Sequence, residues 1–133
     1  MTYDAPYTVE ATPRSPEIHL DPTSRTLGIS GESYPEDASA FYGPVFQEVK
    51  GFLNARKGEL FTANIRFVYF NSSSAKAIMN LFQMLEEAAE GGHSIVINWY
   101  YDPDDDMMEE MGEDFAEDFE HATFNLTPEG TVA

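Results

Sequence analysis

Apolar residues recur along this chain at two spacings, alternating with polar ones in some stretches and returning every three or four residues in others. Glu17-Ile18-His19-Leu20 and Thr26-Leu27-Gly28-Ile29 alternate around the turn-type cluster Asp21-Pro22-Thr23-Ser24, which predicts an N-terminal hairpin. Ala38, Phe41, Tyr42, Val45, Phe46, Val49, Phe52 and Leu53 form one stripe at helical spacing. Gly43-Pro44 interrupts that stripe early. Proline is tolerated in a first helical turn, so the main helix is expected to begin near Pro44, after a looser turn. Residues 62–70 alternate and then become continuously apolar at Phe67-Val68-Tyr69-Phe70, as a buried central strand would.

A helix over 74–90 is the clearest element, with Ile78, Leu81, Phe82, Leu85, Ala88 and Ala89 on one face and Gly91-Gly92 ending it. Residues 94–101 read as a strand. A third helix follows Asp102-Pro103 and turns Met108, Met111, Gly112, Phe115 and Phe119 inward, and Ala122–Leu126 alternates weakly as a last strand or extended tail. Strands separated by single helices pair in parallel through right-handed crossovers. The expected fold is therefore α/β, a mixed and mostly parallel sheet with an antiparallel N-terminal hairpin and about three main helices. Residues 1–15 read as a flexible N-terminal arm, 16–126 as a single domain and 127–133 as a C-terminal tail.

Charge is distributed unevenly. All seven Lys and Arg lie at or before Lys76 beside nine Asp and Glu, whereas from Ala77 onward there are fifteen acidic residues and no basic one. Of the net charge of -17, nearly all belongs to the second half. Such a field repels phosphate backbones and anionic lipid, so neither nucleic acid nor a membrane surface is an expected partner. It suits a basic protein or divalent cations, and it equally suits a solvated face that keeps the chain soluble. With no cysteine, disulfides and thiolate chemistry are excluded. The first residues lack a basic start and an apolar run, and no stretch approaches the roughly 18 apolar residues of a spanning helix, so a cytoplasmic location is expected.

Asn71-Ser72-Ser73-Ser74-Ala75-Lys76 joins the expected central strand to the best helix. Serine is a preferred N-cap, which accounts for one of the three serines but not for all of them. Lys76 in a first helical turn opposes the helix dipole unless an anion is near. A phosphate on Ser72 would lie four residues before Lys76 and over the helix N-terminus, where amides, dipole and ammonium all favour it. Asp102, Asp104, Asp106 and Glu113 occupy calcium-loop positions one, three, five and twelve, yet Met107 fills the position that needs glycine. His19, His93 and His121 sit on different elements without a patterned nucleophile, so no catalytic constellation and no cofactor are expected. Tyr34-Pro35 and Trp99-Tyr100-Tyr101 are aromatic clusters suited either to packing or to anchoring a partner. The rival readings are a divalent-cation protein using the acids of 102–113 and a small hydrolase, which would need carboxylates and a histidine converging in one pocket.

Four segments taken in order carry a resemblance: Gly31-Glu32-Ser33-Tyr34-Pro35-Glu36, Tyr69-Phe70-Asn71-Ser72-Ser73-Ser74-Ala75-Lys76-Ala77, Gly91-Gly92, and Asn98-Trp99-Tyr100-Tyr101-Asp102. Together they resemble the SiaC family of bacterial regulatory phosphoproteins. That resemblance implies a STAS-like fold and a phosphoacceptor at the start of the helix after a central strand. The family's acceptor is a threonine in an Asn-Thr-Ser-Ser run, and the matching position here is Ser72, with Ser73 and Ser74 as lesser candidates and Asn71 and Lys76 in support. It further implies a cognate Ser/Thr kinase, a PP2C-like phosphatase and a diguanylate cyclase that the unphosphorylated form binds and activates. Cyclic di-GMP and biofilm control would be the output, unless the switch serves another signalling protein. Tyr34, Pro35, Glu36 and Tyr101 are the expected partner contacts.

Overall fold

The computed structural model describes residues 5–56 and 58–129. Its elements are β1 (Tyr7–Val9), β2 (Glu17–Asp21), β3 (Thr26–Ser33), α1 (Ala38–Ala55), β4 (Leu60–Phe70), α2 (Ser72–Glu90), β5 (Ser94–Tyr101), α3 (Asp106–Ala116) and β6 (Thr123–Pro128). The strands form one sheet in chain order, β1 to β6. β1–β2 and β2–β3 pair antiparallel, and β3–β4, β4–β5 and β5–β6 pair parallel. The α/β sheet with its antiparallel hairpin is the one expected from the apolar pattern.

Chain-order pairing has a geometric consequence. Right-handed crossovers that always step the same way deliver every helix to the same face of the sheet. That face holds the core: Ile18, Ile29, Ile65 and Trp99 lie in one row across it, and Leu20, Leu27, Ala63 and Ile97 in the next. Val45, Val49 and Phe52 of α1, Ile78, Leu81 and Leu85 of α2, and Met108 and Phe115 of α3 close over them. Among the described residues the opposite face carries no helix, and amide side chains run across its middle. Asn125 donates to Asn98 at 2.9 Å and Asn98 to Asn64 at 3.0 Å, an amide ladder across three parallel strands.

The one-sided sheet corrects the reading of β4 as buried to its end. Opposite Gly31 (φ 113) and Glu32 the register shifts, so Gly31 pairs with Phe67 and Glu32 with Tyr69. The bulge leaves Val68 68 % and Tyr69 49 % exposed. A second correction concerns part of the loose arm expected over 1–15, of which residues 1–4 lie outside the described residues: Tyr7, Thr8 and Val9 pair with Leu20, His19 and Ile18. Three residues on an edge are too few to show a period. A third concerns α1, which runs unbroken from Ala38 with Asp37 as N-cap accepting from Ala40 N at 3.1 Å. Pro44 sits inside it on the exposed side, where water reaches the Ala40 carbonyl that loses its partner.

α3 is held close to the sheet. Trp99 Nε1 donates to the Met108 carbonyl at 3.0 Å, and a Cβ at Gly112 would meet the Trp99 ring and Leu126 at 2.5 Å. Only a residue without a side chain lets the helix approach so near. The calcium-loop residues are otherwise engaged. Asp102 accepts from Asp104 N at 2.9 Å, Asp105 caps α3 through Met108 N at 3.0 Å, and Asp106 already lies in the helix. Beyond α3, the Glu86 carboxylate accepts from the amides of Glu120, His121 and Ala122 at 2.8–3.1 Å and meets His121 Nδ1 at 3.0 Å.

Candidate functional site

At the carboxyl end of β4 the chain turns into α2 through Asn71. The cap is this asparagine and not one of the serines: its Oδ1 accepts from Ser74 N at 2.9 Å, while its own amide donates to the Ser33 carbonyl at 3.1 Å. Ser72 and Ser73 are thereby the first two residues of α2, and both are exposed. Ser74 is fully buried, with its hydroxyl accepting from Ser33 at 2.8 Å. Ser33 in turn meets the Tyr42 hydroxyl at 2.6 Å, and burial pushes that phenol up to about 12. Of the three candidate serines, two offer a hydroxyl to a modifying enzyme and the third serves the core.

Because α2 begins at Ser72, Lys76 starts its second turn and not its first, which removes most of the dipole penalty. It stands one turn beyond Ser72, at the spacing that brings side chains together on a helix face. Lys76 and Ser73 border a cleft of about 610 Å³ with Glu36, Asp37 and Ser39, so the loop containing Glu36 lies beside the serine-rich helix start. Tyr34 and Pro35 of that loop are half-buried. Tyr34 meets Tyr69 edge-on at 5.9 Å, and the Arg14 guanidinium lies 5.9 Å above its ring.

Tyr101 lies elsewhere on the same end of the sheet. Its hydroxyl donates to Glu109 at 3.3 Å, and partial desolvation followed by the Glu109 charge raises its phenol. It lines a second cleft, of about 620 Å³, with Arg66, Val68, Tyr100 and Asp102. Arg66 stacks 3.9 Å over Tyr100 and donates through Nε to Glu129 at 3.0 Å. The bulge residues join the two clusters, Tyr69 touching Tyr34 and Val68 lining the Tyr101 cleft. Val68 and Tyr69 escaped the sequence reading, and Gly31 was the signal that could have found them, since a strand glycine often marks a bulge.

His93 bridges two helix ends, contacting the Leu53 carbonyl at 2.9 Å, and His121 is spent on Glu86. Among the described residues no group of three or more His, Cys, Asp or Glu is placed to hold a metal ion. No helix among the described residues is long and apolar enough to cross a membrane.

The fold and the matched family model define an α/β regulatory phosphoprotein. The chain belongs to the SiaC family of regulatory phosphoproteins, whose family model matches residues 9–129. It is similar to the structure of SiaC of Pseudomonas aeruginosa at 31 % identity and a TM-score of 0.86, over 94 % of this chain and 99 % of that one. It is also similar to SiaC as crystallised from the same organism with the diguanylate cyclase SiaD, described there as activated by SiaC. That match has 32 % identity and a TM-score of 0.87 over 92 % of this chain and 99 % of that one. An uncharacterised protein of Pseudomonas aeruginosa strain UCBPP-PA14 is 34 % identical over 110 residues, 83 % of this chain and 86 % of the relative.

Proposed function

We propose that this protein is a cytoplasmic, non-catalytic interaction switch, with Ser72 as the phosphoacceptor and Ser73 as the lesser one. Unphosphorylated, it binds and activates a diguanylate cyclase, as SiaC does SiaD in the related complex. A Ser/Thr kinase and a PP2C-like phosphatase set its state. The observation that carries this reading is the exposure of Ser72 at the first position of α2, directly after the strand end that presents the solvent-facing Val68 and Tyr69. A phosphate there adds nearly two negative charges at the rim of an aromatic docking surface. The helix amides and Lys76 accommodate it, while an approaching partner meets repulsion and desolvation. The chain-order sheet favours a binding role as well. Its strand order never reverses, so it lacks the crevice at a reversal point where open α/β sheets usually hold ligands.

The test is to phosphorylate the protein with its genomic kinase and map the modified residue by mass spectrometry. Phosphate is expected on Ser72, or secondarily Ser73, and never on Ser74. Ser72→Ala should keep binding and activating the cyclase whatever the kinase does, and Ser72→Asp should weaken both. Phosphate landing outside 72–73, or equal binding by the two variants, ends the proposal.

A further inference from the structure

Between α2 and the C-terminal end of α3, with the turn that follows it, lies a groove of about 420 Å³ that the Ser72 reading does not use. Phe82 and Phe115 line it from below, Met79 and Phe119 from the sides, and Glu87 and Asp118 stand on its rim. Met79 is 49 % exposed although wholly apolar. Glu86 also borders the groove, but its carboxylate is taken by the 120–122 amides and His121. Glu87 and Asp118 are exposed, and no Lys or Arg lines the groove with them, the nearest such side chain being Lys50, which shares the adjoining cleft with Glu87.

We infer that this groove is a second docking site, one that receives a basic amphipathic helix from another protein. An apolar trough walled by a helix on one side and a helix end on the other can take a guest helix by its apolar face. Methionine at its edge adapts to varied side chains. The acidic rim selects the flanks of the guest, which must carry Lys or Arg. A second copy of this chain does not qualify. Its α1 offers Lys50 beside Glu48, its α2 offers Lys76 against Glu86, Glu87 and Glu90, and its α3 has acids alone.

The groove is also separate from the switch. Its nearest residue on α2, Met79, is seven residues beyond Ser72, or roughly 10 Å along the helix axis, and Glu87 lies two turns farther. That exceeds the Debye length of about 8 Å at physiological salt, so phosphate on Ser72 is largely screened from the groove. The protein thereby holds one partner at the switch and another on the groove at the same time.

Methyl-labelled methionine makes the test sharp, because two methionines among the described residues are exposed in different places. Met79 is in the groove, whereas Met107, 75 % exposed, lies among the acids at the start of α3. The full chain is titrated with a synthetic peptide of about 18 residues bearing Leu and Phe at helical spacing and Lys on its flanks. A scramble of the same composition is the control. The Met79 methyl should shift and saturate while Met107 stays still. Met79→Gln should weaken binding at least about tenfold, as loss of a main apolar anchor does. Glu87→Gln with Asp118→Asn should weaken it several-fold at low salt and less at high salt. At physiological salt Ser72→Asp should leave it within about twofold. Equal binding of the scramble, Met107 shifting in step with Met79, or full affinity in Met79→Gln would reduce the groove to diffuse attraction and overturn the inference. A change with Ser72→Asp would overturn its independence from the switch. Failure of the Ser72 mapping, by contrast, would leave this titration untouched.

Discussion

Ser33, at the end of β3, donates its hydroxyl to Ser74 of α2 at 2.8 Å across 41 positions of sequence, and both residues are fully buried. Tyr42 of α1 meets the same Ser33 oxygen at 2.6 Å. One atom thus ties a strand and two helices together directly beneath the exposed serines. The rigidity of the Ser72 platform comes from this point and from the Asn71 cap beside it.

Ser33→Ala is therefore expected to cost about 1–3 kcal/mol, because it strands the buried hydroxyls of Tyr42 and Ser74 without their partner. Denaturant melts would measure the loss. Amide exchange at residues 72–74 should quicken in the same variant. An unchanged midpoint would show that the three hydroxyls are not coupled.

Val68 and Tyr69 face water in the protein, so replacing them should barely affect folding, within about 0.5 kcal/mol. Val68→Asp and Tyr69→Ala should nonetheless each weaken cyclase binding by more than about 1 kcal/mol if the bulge presents the docking anchors. Calorimetry with the purified cyclase decides the matter. Affinity equal to that of the parent would move the interface elsewhere.

Gly112→Ala drives a methyl into the Trp99 ring and Leu126, at a cost of about 1–3 kcal/mol. Its signature is a shift in the emission of Trp99, the only tryptophan, since the indole has to move off the Met108 carbonyl. A stable variant with parental fluorescence would contradict the close approach of α3.

Stability should depend on pH through Glu86 and His121. Desolvation alone would raise the Glu86 carboxyl. The amides of Ala122 and Glu120, then the ring and amide of His121, outweigh it and bring the carboxyl down to about 2. This contribution is present above the ordinary value of 4.5 and is lost as pH falls from there toward 2. His121 is raised, first by its hydrogen bond to Glu86 and further by the charges of Glu86, Glu90 and Glu120. Its contribution is full below 6.5 and disappears as pH rises through the raised value. The His121 side chain is 42 % exposed, so solvent weakens that part. Glu86→Gln should melt below the parent at pH 6, with the gap closing near pH 2. A gap independent of pH would refute the assignment.

Much of the architecture was legible because its signals are local and repeated. The α2 stripe of Ile78, Leu81, Phe82 and Leu85 has one buried side, and strands separated by single helices leave few topologies. What stayed hidden depended on partners distant in sequence. β1 exists through its pairing with Leu20, His19 and Ile18. Val68 and Tyr69 read as core because the bulge opposite Gly31 is a property of two strands and not of one. At the site, Ser72 could be picked out by position. The division of labour among the serines could not, because the contact that removes Ser74 comes from Ser33. Asn71 was noted as support for a phosphate, and its role as cap emerges from its bond to Ser74 N.

The strictly sequential sheet bears on how the chain assembles during synthesis. Each strand pairs with the one made just before it, so no early strand waits for a distant late one. A nascent chain leaving the ribosome N-terminus first can lay down the β2–β3 hairpin and then extend the sheet at a single growing edge. Every helix arrives on the same side as it does so. Protection in ribosome-stalled chains should accordingly spread from β3 through β4 to β5, in the order in which the strands clear the ribosome.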